Sequence, residues 1–230
     1  MKIIINEKLI KRNKTIGNVL SIAGIVILVG GLILNFNPTE TKTLISFGAL
    51  IVGFFVAQIS TSYVTRFGRN PRFDEIITDN LSKLNAPYTF YVYSSPVPML
   101  LVGPSRLWIT IPVVAAGTIT YDKKWRQSGG SFLMKMFGHE NIGKPEIEVN
   151  NQEKQITDFL KKHLEEDELP PINSVLVSLH PKAEIGDVER APVPIVELNG
   201  LRRFIRKTDR KDETEIPTIL LDKIKSALED

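Results

Sequence analysis

The residues best suited to chemistry on a phosphate are Lys123, Lys124, Trp125 and Arg126, a basic–aromatic cluster in the strand-rich middle of the chain. Cations of this kind grip phosphate oxygens while an indole stacks on a base. The same four residues also read as a solvated turn with one packed tryptophan. A second basic run, Arg202, Arg203, Arg206, Lys207, Arg210 and Lys211, falls at helical spacing. It forms a solvent-facing stripe which, on a domain tethered to a membrane, could rest on anionic headgroups. Other chemistries lack their residues. Cysteine is absent, which removes disulfides, thiolate metal sites and a cysteine nucleophile. His139, His163 and His180 lie far apart, and none pairs into a helical metal-ligand spacing. Gly103, Pro104 and Ser105 lack the Gly-Lys-Ser/Thr ending of a phosphate-cradling loop. No Gly-x-Ser-x-Gly elbow occurs.

The formal charge of +3 is unevenly spread: residues 1–65 carry six bases against two acids, and residues 66–230 carry 23 against 24. The basic pI therefore comes from the N-terminal part. Sequence-independent nucleic-acid binding needs a basic face, because phosphate contacts supply most of the affinity. The net balance of the C-terminal part does not advertise one.

The elements that must carry these residues begin at a membrane. Residues 1–15 read as a short basic arm. Two uncharged apolar runs follow, 16–36 and 43–64, joined by a polar link that holds Pro38. About 20 residues at helical rise cross the ~30 Å hydrocarbon core. A cleaved signal peptide is the other reading of the first run. It fits less well, because the run exceeds the usual ~7–15-residue apolar region, shows no small-residue cleavage site and is followed directly by a second span. Five bases precede the first span and Arg66, Arg69 and Arg72 follow the second, against Lys42 alone between them. Positive flanks stay cytoplasmic. The expectation is a multi-pass protein of the cell (inner) membrane, the bilayer its first partner, with both termini cytoplasmic. Ala49, Gly53 and Ala57 recur every fourth residue and would let the two helices approach closely, or mediate dimerisation.

Residues 66–207 read as one soluble domain. Asn70 and Pro71 predict a capped helix to about residue 85, with Ile76, Ile77, Leu81 and Leu84 on its apolar face. Strands are expected over 88–94, 99–102, 107–111 and 117–122, the middle pair closed by a Gly-Pro-Ser turn. A short helix is expected over 132–137. A helix opened by Pro145 runs to about residue 166, with its acidic end poorly placed against the helix dipole. Strands over 172–179 and 192–198, a helix capped by Asn199 to about residue 207, a charged link and a final amphipathic helix complete the chain (208–230). This order suggests a membrane-anchored α/β protein: two transmembrane helices, then an α/β sandwich with a mixed sheet.

The soluble part resembles the nuclease-related domain (NERD) family, of PD-(D/E)XK nuclease-like, restriction-endonuclease-like fold. The pieces that carry the resemblance are LVGPSRLWITI at 101–111 and TITYDKKWRQSGG at 118–130. The proline-opened helix with Gln155 near its centre and the HPKAEI segment at 180–185 support it. Active members use an acidic residue on one strand and Glu-x-Lys on the next. Two such carboxylates hold a divalent cation, usually Mg²⁺, which stabilises charge developing on phosphate. The resemblance sets the Asp position at about Pro98 and the Glu-x-Lys positions at Ile111 and Val113, with Pro112 between them. All three chemical groups are missing. Glu75 and Asp122 are the carboxylates that could rebuild a site elsewhere; exposed helix charge and turn capping are their plainer readings.

The resemblance thus implies the fold and argues against the reaction. The expected function is a non-catalytic binding or scaffold module at the cytoplasmic face, a pseudoenzyme with no cofactor. Its partner would be a protein, a second copy or a nucleic acid. The competing reading is a membrane-tethered nuclease with a relocated site that takes Mg²⁺.

Overall fold

The computed structural model describes residues 1–85, 87–130, 141–211 and 215–229. The chain divides into two compact units, Asn6–Phe73 and a second made of Met1–Ile5 with Asp74–Asp230.

The first unit is a helical hairpin. Helix α1 (Glu7–Leu34) starts at Asn6, whose side chain accepts from the Leu9 N–H. Helix α2 (Glu40–Tyr63) starts at Thr39 in the same way and runs into a π-helical turn, Val64–Gly68. Both helices are long and apolar enough to cross a membrane. At 1.5 Å per residue they extend about 42 and 36 Å. The helices pack through small residues. Gly17, Gly24 and Gly31 are the buried positions along the apolar part of α1, and Ser46, Gly53 and Ser60 those of α2. Each set repeats every seventh residue, which keeps one narrow seam facing the partner helix. A Cβ at Gly31 would lie 2.9 Å from the Ala49 Cβ, so only glycine fits there. Ser46 donates to the Gly31 carbonyl at 2.8 Å and Ser60 to the Gly17 carbonyl at 3.0 Å. The expected small-residue stripe of α2 therefore serves intramolecular packing, with Ala49 and Ala57 against Gly31 and Gly24. Large apolar side chains such as Ile22, Ile25, Val26 and Phe55 point outward, more than 60 % exposed.

The second unit is a mixed-sheet α/β fold. Six strands lie in the order β1 (Lys2–Ile5), β2 (Thr89–Val92), β3 (Met99–Val102), β4 (Leu107–Val113), β7 (Ile172–Ser178) and β9 (Ile195–Glu197). All run the same way except β3, which is antiparallel to both neighbours. A smaller sheet holds β6 (Lys124–Ser128), β5 (Gly117–Asp122) and β8 (Ala183–Ile185). The period-2 pattern of the strands sorts side chains to two faces. Leu100, Val102, Ile109, Ile111 and Leu176 face one core with helices α4 (Pro145–Leu160) and α6 (Thr218–Glu229). Phe90, Leu101, Trp108, Val175 and Val177 face the other with α3 (Phe73–Leu81) and α5 (Leu201–Asp209). Helix α6 belongs to the first of these cores through Leu221, Ile224 and Leu228, and its Glu229 accepts from Lys2 Nζ at 2.8 Å. That hydrogen bond holds the Glu229 carboxyl below its usual range.

Several expectations are corrected. The short basic arm expected over residues 1–15 carries structure of its own: Lys2–Ile5 form an edge strand paired in parallel with β2, and the next residues already belong to α1. The helix expected from Asn70 begins only at Phe73, after a bend in which the Asn70–Pro71 peptide is cis, and ends at Leu81. Helix α4 ends at Leu160. The acidic residues Glu166–Glu168 form a separate 3₁₀ turn, away from the carbonyl end of the dipole they would oppose. Asn199 does not cap α5, which follows a 3₁₀ turn over Leu198–Gly200 and has no side-chain cap. Strands β6 and β8 were not foreseen. The helix expected over 132–137 lies outside the described residues.

Candidate functional site

The β3–β4 hairpin holds the positions where the resemblance would set a cation site. Its register pairs Leu100 with Ile109 and Leu101 with Trp108. Pro98 immediately precedes β3, and Ile111 and Val113 share one face of β4. Ile111 and Val113 are 2 % and 6 % exposed, inside the apolar core with Ala115, Ile119 and Val149. None of Pro98, Ile111 and Val113 carries a carboxylate or an amine, and the side chain paired beside Val113 is the buried hydroxyl of Ser178. A hard divalent cation takes oxygen ligands, so these residues do not fit Mg²⁺. Among the described residues no group of three His, Cys, Asp or Glu could share a metal ion.

The other carboxylates do not meet. Glu75 is exposed on α3, which covers one face of the large sheet. Asp122 is exposed at the end of β5, whose Ile119 packs into the core on the other face. Asp122 pairs instead with Arg126, at 3.4 Å. The basic–aromatic cluster is split by strand alternation. Lys123 occupies the hairpin turn with φ +58°, Lys124 and Arg126 are exposed, and Trp125 is buried edge-on against Tyr121 at 5.2 Å. Gln155 of α4 is exposed, and the buried amide of that helix is Gln152.

A carboxylate that sequence reasoning missed lies beside the Gly-Pro-Ser turn. Asp209, 7 % exposed at the end of α5, accepts from the Tyr88 hydroxyl at 2.6 Å, Trp108 Nε1 at 2.9 Å and the Ser105 hydroxyl at 3.2 Å. Arg106 Nε stands 3.6 Å away, while Arg106 Nη1 donates to Asn173 at 2.9 Å. Gly103 sits close to the cluster, since a Cβ there would come within 3.2 Å of Asp209 and 3.1 Å of the Tyr88 ring and both would have to give by a few tenths of an ångström. Burial first, then the bond to Asp209 and its charge, push the Tyr88 hydroxyl well above the ordinary tyrosine range. Three donors and a guanidinium occupy the carboxylate, so the cluster is a lock between α5 and the turn rather than a free acid or base. Its signal was readable: Leu201, Ile205 and Asp209 share the buried face of α5 at a spacing of four, and an acid at a core position needs partners.

The outer face of α5 is the opposite case. Asn199, Arg202, Arg203, Arg206, Lys207 and Arg210 line a surface recess of about 550 Å³. Arg206 donates to the Lys83 carbonyl at 3.4 Å. Among the described residues none of these five cations forms an ion pair.

Comparison with known protein families, with curated proteins and with solved structures finds no match for this chain. Its own architecture is a mixed-sheet α/β unit in one chain with two helices apolar enough to span a membrane.

Proposed function

We infer that this chain is a membrane-anchored binding or scaffold module whose domain has a nuclease-related, restriction-endonuclease-like fold without the reaction. The observation that carries this reading is the burial of Ile111 and Val113 in an aliphatic core, where the resemblance would set Glu-x-Lys. The adjacency of β3 and β4 supports the fold, since an acid on one strand and Glu-x-Lys on the next must sit side by side. The aliphatic core at that place supports the loss of catalysis.

Membrane anchoring draws support from the inverted packing of the hairpin. A core helix of a soluble protein would be mostly buried, whereas only 17 % of each apolar window is buried here. Small residues inside and large apolar ones outside suit lipid. The pairing of β1 with β2 supports a common side for both flanks of the hairpin, and the flanking Lys and Arg support the cytoplasmic side.

The test incubates the full chain, in detergent or nanodiscs, with DNA and RNA and either Mg²⁺ or Mn²⁺. The expected result is no cleavage. Cleavage that disappears in Glu75→Ala or Asp122→Ala overturns the reading in favour of a tethered nuclease. A reporter fused after residue 230 is expected to read cytoplasmic, and one inserted at Pro38 to read the opposite side.

A further inference from the structure

We propose that the basic recess of α5 docks on the anionic headgroups of the membrane to which the chain is anchored. This rests on the membrane-anchored binding reading and names the partner of its most charged face.

Charge distribution comes first. The α/β unit carries 21 Lys and Arg against 24 Asp and Glu. Six of those bases fall between Arg202 and Lys211, leaving 15 to face the acids of the rest. The unit is therefore acidic with one concentrated basic face. A flat anionic surface meets that face and leaves the acidic remainder in solvent. A long nucleic acid would have to run on past it over repelling surface. The inward acid of the same helix, Asp209, is taken up by Tyr88, Ser105, Trp108 and Arg106 and neutralises none of the outer cations. The recess is built from guanidinium groups, which bind phosphate oxygens in pairs.

Chain direction comes second. Strands β1, β2, β4, β7 and β9 run the same way. Their last residues, Ile5, Val92, Val113, Ser178 and Glu197, lie at one end of the sheet, with β1 and β9 as its two opposite edge strands. From that end the chain continues from Ile5 into α1, with only Asn6 between. One 3₁₀ turn after Glu197, α5 begins at the same end, on the edge opposite β1, with Asn199, Arg202 and Arg203 in its first turns. The tether therefore keeps the unit, and this helix with it, within reach of the headgroups.

The chain has no cysteine, so an Asn199→Cys variant carries a single thiol in the recess. The full chain, labelled there with a polarity-sensitive dye, is reconstituted in nanodiscs of phosphatidylcholine, with and without phosphatidylglycerol. Anionic discs are expected to shift the emission to the blue and slow acrylamide quenching, and salt to reverse both. Each base near an anionic surface strengthens attachment about fivefold, so Arg202→Gln with Arg206→Gln is expected to weaken it roughly 25-fold and restore the phosphatidylcholine values. Lys207→Gln with Arg210→Gln serves where the first pair disturbs folding, as read by tryptophan emission. Equal signals in both discs, or an anionic response that survives both charge pairs, overturn the proposal. So does a response to inorganic phosphate or short single-stranded DNA without any to lipid. A missing lipid response with no nuclease activity sinks this inference alone, whereas nuclease activity sinks the reading beneath it.

Discussion

Replacing Asp209 by alanine is the sharpest test of how the α/β unit is held together. The substitution removes the acceptor of the Tyr88, Trp108 and Ser105 hydrogen bonds and the charge opposite Arg106, all at a site 7 % exposed. A buried donor left without a partner costs about 1–3 kcal/mol, and breaking a buried ion pair from one side costs about 3–5 kcal/mol. These overlap, because hydroxyls rotate, water fills the vacated volume and Arg106 keeps Asn173. A loss of about 4 kcal/mol follows, against a whole-domain stability of about 5–15 kcal/mol. Tyr88→Phe removes one bond to a charged group and costs about 1.5–3 kcal/mol. In the double variant most of that cost vanishes, because the two changes break the same contact. Denaturant unfolding of the full chain in detergent, followed by tryptophan emission, reads all three, since Trp108 is itself a donor in the network. A loss below about 1 kcal/mol for Asp209→Ala, or additive costs in the double variant, would refute the account of Asp209 as a lock.

Alkaline pH is expected to destabilise the unit. Burial raises the hydroxyls of Tyr88 and Tyr91 above their ordinary value of 10.0, with Asp209 and Glu229 adding to the effect. Their stabilisation is complete below the unfolded value and is lost as pH rises through the folded ones. An ultraviolet phenolate titration should find these two tyrosines silent until unfolding, and Tyr88→Phe should shrink the alkaline loss. In the hairpin, Gly31→Leu collides with Ala49 and is expected to cost about 1–3 kcal/mol or separate the helices. Gly30→Leu meets nothing within 4 Å and should leave detergent-phase thermal unfolding unchanged. Ile111→Glu buries a carboxylate among aliphatic residues and is expected to cost about 3–5 kcal/mol at neutral pH. Burial raises that carboxyl in the folded state, so the deficit should shrink as pH falls from its folded value towards its unfolded one and be smallest below the latter. A deficit that does not depend on pH would mean that the position is wet.

Much of this architecture was legible because its signals are local. The two apolar runs, the strands at 99–102 and 117–122 and the amphipathic stripe of the last helix each declare themselves within ten or twenty residues. What escaped depends on distant partners. Strand β1 is four residues, Lys-Ile-Ile-Ile, without alternation, and only its pairing with residues 89–92 makes it a strand. Strand β8 has three residues and is fixed by β5. Strand β6 did show its pattern, exposed Lys124 and Arg126 either side of buried Trp125, but its charges read as a turn. The glycine and serine seams of the hairpin recur at a spacing of seven in the sequence, where the fourfold stripe of α2 is the stronger signal. At the candidate site, the missing catalytic groups were readable as absences. Of the Asp209 lock only the acid at a core position of α5 was readable, because its partners come from separate elements.

The edge strand at the N-terminus gives the protein an order of assembly. Lys2–Ile5 leave the ribosome ahead of both hydrophobic segments, but the segment they pair with follows only after some 80 further residues, roughly 4–16 s of synthesis. On the membrane-anchored reading, both hydrophobic segments emerge and enter the bilayer during that interval. The strand then docks only when the hairpin has returned the chain to its starting compartment. A hairpin threaded with one segment left behind would leave the sheet short of its outermost strand and expose the backbone of β2. Completion of the sheet would then report on insertion.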